Sequence, residues 1–425
     1  MKFLAYGSKG ASVELLQLAL NRFGFTELAK DGFFGSETRR AVSAFQKSRG
    51  LTSDGAENAE THRALLPWYT GYLVHKVSAG ESLYSIAEKY STGIEPIITA
   101  NPGINAENLK ISSSVIVPLD FPVVPTDISC GSRLCAYCVR GLAARYPFII
   151  SGDIGKSVLG RPIWSLTVGR GSNSVLYTAG QHANEWITSL VLLKYIEDLC
   201  VAFAAGGEIF GESAAEILDY ATICFIPALN PDGMDLVTGD ISEGSIYDSA
   251  KLIAEKYPQF PFPSGWKANI RGTDLNLQFP ANWEKAKEIK FSQGITAPAP
   301  ADFVGKAPLS APESKAIYDL TLSFNPALIL AYHTQGEVIY WKYLDYEPYN
   351  SRKIAELFSQ VSSYAVEETP YASGFAGYKD WFIQDFDRPG YTIEAGIGNN
   401  PLPISDFDEI YRKNKGILTL GTIVT

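Results

Sequence analysis

Apolar and polar side chains alternate at helical spacing through residues 1–68. Residues 13–23 predict a first helix because four apolar side chains fall on one face. These are Val13, Leu16, Leu20 and Phe23. A second helix is predicted from a cap at Ser36 to a stop at Gly50, and a third ends near Pro67. Glycine turns in DGFFG and DGAEN separate the helices, so this part predicts a small three-helix domain.

The hydrophobic pattern of residues 72–425 differs from that of the helical part and predicts two further domains joined by a linker. Residues 72–119 predict a strand, two helices and a second strand, which is a small βααβ module. Residues 120–127 include FPVVPTD, which predicts a short, stiff linker. Within 128–425, apolar β-rich runs such as SVLYTAG, ALILAYH and GYTIEAG alternate with helical stretches such as ITSLVLLKYIEDLCVAF. This alternation predicts an α/β domain with a largely parallel or mixed sheet.

Composition fits an ordered globular protein. The 425 residues are 46% hydrophobic and 19% charged, and this length predicts two or three domains. The formal net charge is −10, from 36 basic and 46 acidic residues. Nucleic acid is therefore not expected as the main partner, because phosphate binding requires clustered Lys and Arg.

The apolar runs are too short for a membrane span, which needs about 18 or more consecutive apolar residues. The start, MKFLAYGSKG, also lacks the extended apolar core of a secretory signal. We therefore expect no membrane span and synthesis in the cytoplasm.

Three of the five cysteines form a C-x4-C-x2-C cluster at Cys130, Cys135 and Cys138. Structural thiols are the first interpretation, because five cysteines are too few and too unevenly spaced for a disulfide framework. A disulfide is the second interpretation. A zinc site is the third, because a convincing fourth ligand is lacking.

Polar side chains stand where three predicted strands of residues 128–425 end. SVLYTAG leads into His182-Ala-Asn-Glu185, ALILAY leads into His333, and GYTI leads into Glu394. Ligand sites in open α/β sheets form at such strand ends. Catalytic zinc takes three protein ligands from His and carboxylate side chains and keeps a position for water. The sequence therefore predicts one zinc ion at His182, Glu185 and His333.

Each of these residues has a simpler interpretation. An H-x-x-E pair by itself is usually a chance surface pair, and the distant strand-end His333 is what strengthens it here. Glu394 could be a buried carboxylate that backbone groups satisfy. A glutamate inside YTIEAG would nevertheless be costly without a strong partner, which favours a functional role.

From about residue 140 onward, these residues resemble the M14 family of zinc carboxypeptidases. The family's metal ligands correspond to His182, Glu185 and His333, and its general base, in a strand similar to YTIEAG, corresponds to Glu394. The resemblance implies that zinc lowers the pKa of a water molecule and polarises the scissile carbonyl. Glu394 would accept the proton of that water and deliver it to the leaving amine.

Two further residues are assigned by the same resemblance. Arg271, in NIRGTDLN, resembles the arginine that stabilises the oxyanion, although a surface arginine in a salt bridge is an alternative. Tyr371, in TPYASG, resembles the mobile tyrosine that covers the substrate.

The chain departs from the family where carboxypeptidases grip a terminal carboxylate with an Asn-Arg pair. DLNLQFPANW keeps Asn276 but has Leu277 in place of the arginine, so the bidentate clamp is lost. RGTDLNLQFPANWE resembles instead the branch that cuts γ-D-glutamyl–diamino acid bonds in peptidoglycan. Lys379, in YKDWF, stands at the family position that lines the primed-side pocket. A cation there favours the acidic end of meso-diaminopimelate over lysine, and a lysine pointing to solvent is the alternative.

The two small domains also resemble known modules. Residues 1–68 resemble the peptidoglycan-binding domain of wall hydrolases, through the two DG turns and the LQ and FQ helix positions. Residues 72–119 resemble a LysM module, a binder of N-acetylglucosamine-containing glycans, through VSAGESLYSIA, ITANPGI and SSVIVPL. The resemblance implies that Asn101 and Pro102 lie in the loop that meets the sugar. A structural or protein-binding role is the alternative for each module.

These features together predict a wall-directed zinc peptidase whose M14-like domain covers residues 128–425. We expect it to be bacterial, made in the cytoplasm or mother cell, and to act at the cell wall or spore. The two modules would concentrate it on glycan, and the zinc domain would cut the γ-D-glutamyl–diamino acid bond. One alternative is the same chemistry used on soluble muropeptides inside the cell. The others are a carboxypeptidase that removes C-terminal residues and a non-catalytic glycan-binding protein.

Overall fold

The computed structural model describes residues 3–25 and 27–424, which fall into two compact units. The first unit comprises Met1–Ile128 and Ala136–Ile150. Its elements are α1 (Ala11–Phe23), α2 (Ser36–Ser48), α3 (Ala59–Thr70), β1 (Tyr72–Lys76), α4 (Leu83–Lys89), α5 (Ile94–Ala100) and β2 (Ser114–Pro118). The next helix, α6 (Ser132–Arg145), has residues in both units.

Two buried glutamines explain the repeated pattern in the three-helix part. Gln17, in α1, donates from Nε2 to Asp31 (2.7 Å) and accepts at Oε1 from the backbone N–H of Gly32 (3.0 Å). Gln46, in α2, makes the equivalent two bonds to the next Asp-Gly turn, at 2.7 and 2.9 Å. Each glutamine therefore fastens a helix to the turn that follows it, and pairs the buried amide with polar partners.

Two predicted helix boundaries were wrong. Ser36 is the first residue of α2, and Gly35 stands at the N-cap without a side-chain hydrogen bond. Helix α3 continues past Pro67 to Thr70, and its C-cap is Gly71, whose φ of 77° is the left-handed conformation that glycine adopts without strain. The last turn of α3 stays helical because Tyr69 is buried there, at 1% exposure, so packing outweighs the hydrogen bond that proline removes.

The βααβ order predicted for residues 72–119 is confirmed. Strands β1 and β2 pair antiparallel, with Tyr72 opposite Pro118. Helix α4 begins at a capping box in which the side chains of Ser82 and Ser85 bond each other's backbone N–H groups. A small apolar core joins the helices to the sheet. It includes Val77, Leu83, Ile86, Ile97 and Val117.

The proline-rich segment 121–127 belongs to the first unit. Val123 and Val124 are buried, and Arg22 donates from Nη2 to the carbonyl oxygen of Pro122 (2.7 Å). The segment predicted as a linker is therefore packed against its own unit.

The second unit comprises Ser129–Cys135 and Ser151–Thr425. Its strands continue the numbering as β3 (Ile150–Lys156), β4 (Pro162–Gly169), β5 (Asn173–Thr178), β6 (Glu208–Ile209), β7 (Glu212–Ser213), β8 (Ala221–Ile226), β9 (Leu328–His333), β10 (Val338–Tyr340), β11 (Ala365–Glu367) and β12 (Gly390–Glu394). Its helices are α7 (Ile187–Ala204), α8 (Ala214–Tyr220), α9 (Pro231–Val237), α10 (Gly244–Ala254), α11 (Trp283–Ser292), α12 (Pro312–Phe324), α13 (Ser351–Ser362), α14 (Tyr378–Phe386) and α15 (Phe407–Leu420). Among the helices of the described residues, none has the length and apolar character to cross a membrane.

Eight strands form one mixed sheet, in the order β11-β10-β12-β9-β5-β8-β4-β3. The central strands β12, β9, β5 and β8 are parallel, whereas β10 and β4 run antiparallel to β12 and β8. All residues of β9 are buried, which is typical of a parallel strand covered on both faces. The predicted α/β class with a mixed sheet is confirmed.

All five cysteines are buried. Burial, helped by the negative charge of Asp235, raises the pKa of the Cys135 thiol to about 12. Burial also raises the pKa of the Cys224 thiol to about 11. A thiol with a raised pKa is a poor nucleophile and a poor metal ligand, so these values favour the structural interpretation.

Candidate active site

Three parallel strands bring the predicted ligands to one edge of the sheet. Strand β9 pairs with β5 on one side and β12 on the other, and Glu394 lies directly opposite His333 in the ladder. Strand β5 ends at Thr178, and the loop after it carries His182 into a short 3-10 helix, Ala183–Glu185. Side chains far apart in sequence meet because the carboxyl ends of parallel strands lie at the same edge.

The loop that carries His182 is held by a buried amide. Asn230, which caps α9, donates from Nδ2 to the carbonyl oxygens of Gln181 (3.2 Å) and Ala268 (3.0 Å). Gly180, with a φ of 59°, lets the loop pass close to α7, because a Cβ there would lie 2.7 Å from Ser189 Oγ. The loop therefore has a defined position before any ligand binds.

His182, Glu185 and His333 direct three basic groups at one point. His182 Nδ1 lies 3.1 Å from His333 Nδ1 and 2.9 Å from Glu185 Oε1, and His333 Nδ1 lies 2.9 Å from Glu185 Oε2. A tetrahedral zinc ion with bonds of about 2.0–2.1 Å spaces its ligand atoms by roughly 3.3 Å. All three side chains are buried, and they form the metal-binding group found in residues 3–25 and 27–424. The donor set and its spacing fit zinc.

The charges of this group favour exchange of a proton for a metal ion. Burial disfavours a charged imidazole, but the Glu185 carboxylate outweighs it and raises the pKa of His182 to about 9. Burial opposes the charge of Glu185 as well, but His182 and Lys267 outweigh it and hold the pKa of Glu185 well below its ordinary value. Metal ligands must be deprotonated, so a metal ion would displace the proton of His182.

Asp274 orients His182 from the side of the ring that faces away from the other two ligands. Its Oδ1 lies 3.1 Å from His182 Nε2, the ring nitrogen opposite the one that faces the ligand group. Asp274 is itself held by the backbone N–H groups of Asn276 (3.0 Å, to Oδ1) and Asp302 (3.2 Å, to Oδ2). A carboxylate at this distance fixes the ring and its tautomer, as is usual for metal-binding histidines. Asp274 is not among the site residues predicted from the sequence.

Replacing Asp274 with Asn should weaken zinc binding by about 10- to 100-fold, because the amide no longer favours Nδ1 of His182 as the metal-binding nitrogen. Competition with a chromogenic chelator would measure the affinity. Asp319→Asn, in an exposed pair with Lys315, is the control for loss of a carboxylate. Equal zinc affinity of the Asp274→Asn and native proteins would contradict the orienting role.

Glu394 lies in the strand next to that of His333, directly opposite it in the ladder, and lines the same cavity. Burial, and then the negative charge of Glu185, raise the pKa of Glu394 to about 8. A divalent cation bound beside Glu185 would offset that charge and lower the pKa again. A carboxylate whose pKa is shifted toward neutrality is suited to accept and return a proton near pH 7.

A cavity of about 210 Å³ opens over these groups and is lined by His182, His333 and Glu394. Its wall carries three lysines and three aspartates besides Glu394. These are Lys267, Lys290, Lys379, Asp274, Asp302 and Asp380. The remaining lining includes Asn276, Leu277, Thr369 and Ser373. Such a balance of charges suits a polar, charged substrate.

Comparison with known families decides the interpretation of this site. The family described as zinc carboxypeptidase matches residues 136–415, which is well over half of the chain. The chain belongs to the M14 zinc carboxypeptidase family. As a member of this family it is a metallopeptidase, and the predicted M14 resemblance is confirmed.

Two bacterial relatives match most of this peptidase. It is 44% identical over 283 residues to γ-D-glutamyl-L-diamino acid endopeptidase 1 of Lysinibacillus sphaericus, covering 67% of this chain and 69% of that protein. It is 41% identical over 276 residues to the Bacillus subtilis protein YqgT, covering 64% of this chain and 72% of YqgT.

Two solved structures share the fold of this peptidase. Bovine thrombin-activatable fibrinolysis inhibitor aligns with a TM-score of 0.54 at 16% identity, over 69% of this chain and 96% of that one. The carboxypeptidase A of Helicoverpa armigera aligns with a TM-score of 0.51 at 19% identity, over 91% of this chain and 85% of that one. At these identities the likeness concerns the fold alone.

The two N-terminal modules are also confirmed. A peptidoglycan-binding domain family matches residues 9–65, and the LysM family matches residues 75–118. The metallopeptidase therefore carries two modules of families associated with peptidoglycan and its glycan.

The cation beside the ligand group of the peptidase is Lys267. Its Nζ lies 3.2 Å from Glu185 Oε1, and it lines the cavity. Burial disfavours its charge, but Glu185 and Asp274 outweigh burial and raise the pKa of Lys267 above its ordinary value. Arg271, the cation that the sequence analysis chose, is exposed and is not among the described residues that line the cavity. Its role in stabilising an oxyanion stays a prediction that its position does not support.

Asn276, Leu277 and Lys379 line the cavity. Asn276 Oδ1 accepts from the backbone N–H of Tyr378 (3.0 Å). Lys379 is 4% exposed, so the alternative of a lysine pointing to solvent is wrong. Leu277 places an apolar side chain in the wall next to Asn276, and it packs into the main core.

Tyr371 lies at the cavity rim rather than over it. It begins a short 3-10 helix, is 66% exposed, and packs edge-to-face on Phe375 with ring centroids 5.1 Å apart. Its neighbours Pro370 and Ser373 line the cavity. A role in covering the substrate stays a prediction.

Asn101 has a structural duty in the LysM module. Its Nδ2 donates to the carbonyl oxygens of Ile97 and Ile116, both at 2.7 Å, and its Oδ1 accepts from Ile116 N (2.9 Å). It ties α5 to β2. Asn101 also lines a groove of about 380 Å³ together with Pro102 and Asn105, so the predicted sugar loop lies at a concave surface.

Proposed function

We propose that this peptidase hydrolyses the amide bond between γ-D-glutamate and a diamino acid in peptidoglycan stem peptides, using one zinc ion at His182, Glu185 and His333. The observation that carries the proposal is Leu277, which stands in the cavity wall beside Asn276. A leucine cannot grip a terminal carboxylate, so a substrate that continues beyond the cut is accommodated. The activity named for the Lysinibacillus sphaericus relative, at 44% identity, supports the same bond.

The side chains that line the cavity have separate roles in the reaction. A zinc ion at the three ligands would supply Lewis-acid polarisation of the scissile carbonyl and a more acidic water. Glu394 accepts the proton of the attacking water and returns it to the leaving amine. We assign to Lys267 the stabilisation of negative charge that develops on the carbonyl oxygen, because its ammonium lies beside the ligand group. Asp274 holds His182 in its orientation.

The two modules would hold the catalytic domain close to wall glycan. Binding of wall glycan by residues 9–65 and 75–118 would raise the local concentration of stem peptides without changing the active site. We therefore favour polymeric peptidoglycan over soluble muropeptides as the main substrate.

Digestion of purified peptidoglycan and soluble muropeptides, followed by mass spectrometry of the new termini, tests the proposal. We expect fragments that end in alanyl-D-glutamate, no products in the presence of a zinc chelator, and recovery when zinc is restored. Release of only the terminal D-alanine from longer stems, with the γ-D-glutamyl–diamino acid bond left intact, would show a carboxypeptidase instead. Products that are indifferent to the chelator would contradict zinc hydrolysis.

A further inference from the structure

We propose that Lys379 and Asp380 act as a pair that binds the zwitterionic distal end of meso-diaminopimelate, where one carbon carries both an ammonium and a carboxylate. Lys379 would bind the carboxylate and Asp380 the ammonium. The inference rests on the proposed function, and it adds that the pocket selects for both charges rather than for an acidic side chain.

The two side chains form a buried ion pair in the cavity wall. Lys379 Nζ lies 2.6 Å from Asp380 Oδ1, and the residues are 4% and 2% exposed. Lys379 Nζ also donates to the carbonyl oxygen of Lys342 (2.7 Å). Both residues line the cavity that contains Glu394 and His333. A complete ion pair therefore faces the space in which the substrate lies.

Asp380 has a fixed position, and the lack of a side chain at Gly377 leaves its carboxylate accessible. Its Oδ2 accepts from the backbone N–H of Gly377 (3.1 Å), at the start of α14. A Cβ at Gly377 would lie 2.6 Å from that oxygen and 3.6 Å from Asn276 Oδ1. Glycine at this position leaves the Asp380 carboxylate open toward Asn276, which lines the same cavity.

The neutrality of the pair decides which side chain it prefers. A single buried cation would favour any carboxylate, but the Lys379–Asp380 pair has no net charge. A neutral zwitterion can bond both members and adds no net charge, whereas lysine or a simple carboxylate adds one uncompensated charge to the buried pair. A stem whose distal amine is acylated in a cross-link has lost the ammonium and should also bind less well.

A second ion pair in the same wall provides the comparison. Lys290 Nζ lies 2.6 Å from Asp302 Oδ1, and Lys290 is 7% exposed. The backbone N–H of Asp302 donates to Asp274, so this pair adjoins the support of the metal group. The side chain of Asp302 is 38% exposed, which makes solvent a competitor for any ammonium bound there. We therefore assign the zwitterion to Lys379 and Asp380.

Three synthetic tripeptides test the inference on the native protein. Each is L-alanyl-γ-D-glutamyl-X, where X is meso-diaminopimelate, L-lysine or L-2-aminopimelate, which has the distal carboxylate but no distal ammonium. We expect kcat/KM for the diaminopimelate substrate to exceed each of the others by about 10- to 100-fold. Equal rates for 2-aminopimelate or for lysine would overturn the paired recognition and leave the proposed function intact. Failure to cut any of the three would overturn the proposed function, and this inference with it.

Matched variants locate the recognition. Asp380→Asn keeps an oxygen to accept from Gly377 and should reduce the preference for diaminopimelate over 2-aminopimelate to nearly one. Lys379→Met should reduce the preference for diaminopimelate over lysine, whereas Lys290→Met should leave both preferences unchanged. A shift in Lys290→Met without a shift in Lys379→Met would overturn the assignment. Ratios of kcat/KM on one preparation do not depend on the folded fraction, and the native substrate series stands if a variant fails to fold.

Discussion

Replacing Glu394 with Gln should lower kcat for stem-peptide hydrolysis by about 10²- to 10⁴-fold and leave the zinc content unchanged. The amide has the shape of the carboxylate but cannot accept the proton of the attacking water. Glu394 is not one of the three converging ligands, so the metal group stays complete. Initial rates on a defined stem peptide and metal analysis of the same preparation measure the two effects.

Glu367→Gln is the matched control for this variant. Glu367 is an exposed glutamate that ends the edge strand β11 of the same sheet, and it is not among the described residues that line the cavity. Its replacement should change neither rate nor zinc content. A Glu394→Gln protein that keeps more than half of the native rate would remove Glu394 from the role of general base. Loss of zinc in that variant would make Glu394 a metal ligand instead.

The three metal-binding residues could be predicted from the sequence because parallel strands bring their carboxyl ends to the same edge of the sheet. Strand β9 is buried along its whole length, so the histidine that ends it stands out as a polar group without a packing purpose. The same logic located Glu394, which pairs with His333 in register. An apolar run that ends in a metal-binding residue is a signal with a physical cause.

Lys267 and Asp274 could not be located in the same way. Both lie on irregular segments, where no periodicity tells which way a side chain points. The direction of Lys267 depends on Asn230, which holds the neighbouring Ala268 carbonyl against the His182 loop, and that contact joins distant residues. Asp274 had one available signal: a metal-binding histidine normally needs a carboxylate partner, and Asp274 precedes the cavity residue Asn276 by two positions.

The structural hydrogen bonds that polar side chains make to turns could not be predicted from the sequence either. The LysM resemblance places Asn101 in the sugar-binding loop, and the structure shows that its amide also joins α5 to β2. Gln17 and Gln46 occupy the LQ and FQ helix positions of the resemblance, and their hydrogen bonds to the Asp-Gly turns explain why glutamine recurs there. Polar residues that satisfy buried backbone groups look like binding residues until their partners are known.

Replacing Lys267 with Met should lower kcat by about 10²- to 10³-fold, which is the usual cost of losing one group that stabilises an oxyanion. The aliphatic stem is retained, so the packing of the cavity wall changes little, while the charge 3.2 Å from Glu185 is lost. KM should change much less than kcat, because the interaction strengthens as negative charge develops on the carbonyl oxygen. Steady-state kinetics on the diaminopimelate tripeptide separate the two constants.

Arg271→Met distinguishes the two candidate cations. Arg271 is four residues away, carries the same charge and is exposed, so its replacement should leave kcat within about twofold of the native value, as surface substitutions usually do. Restoring the charge with Lys267→Arg should recover part of the loss, since a guanidinium also donates to a developing oxyanion. The opposite pattern, a large loss for Arg271→Met and a small one for Lys267→Met, would return the role to the arginine that the family resemblance suggests. It would also require the loop around Gly272 to move toward the cavity when substrate binds, because Arg271 does not line it here.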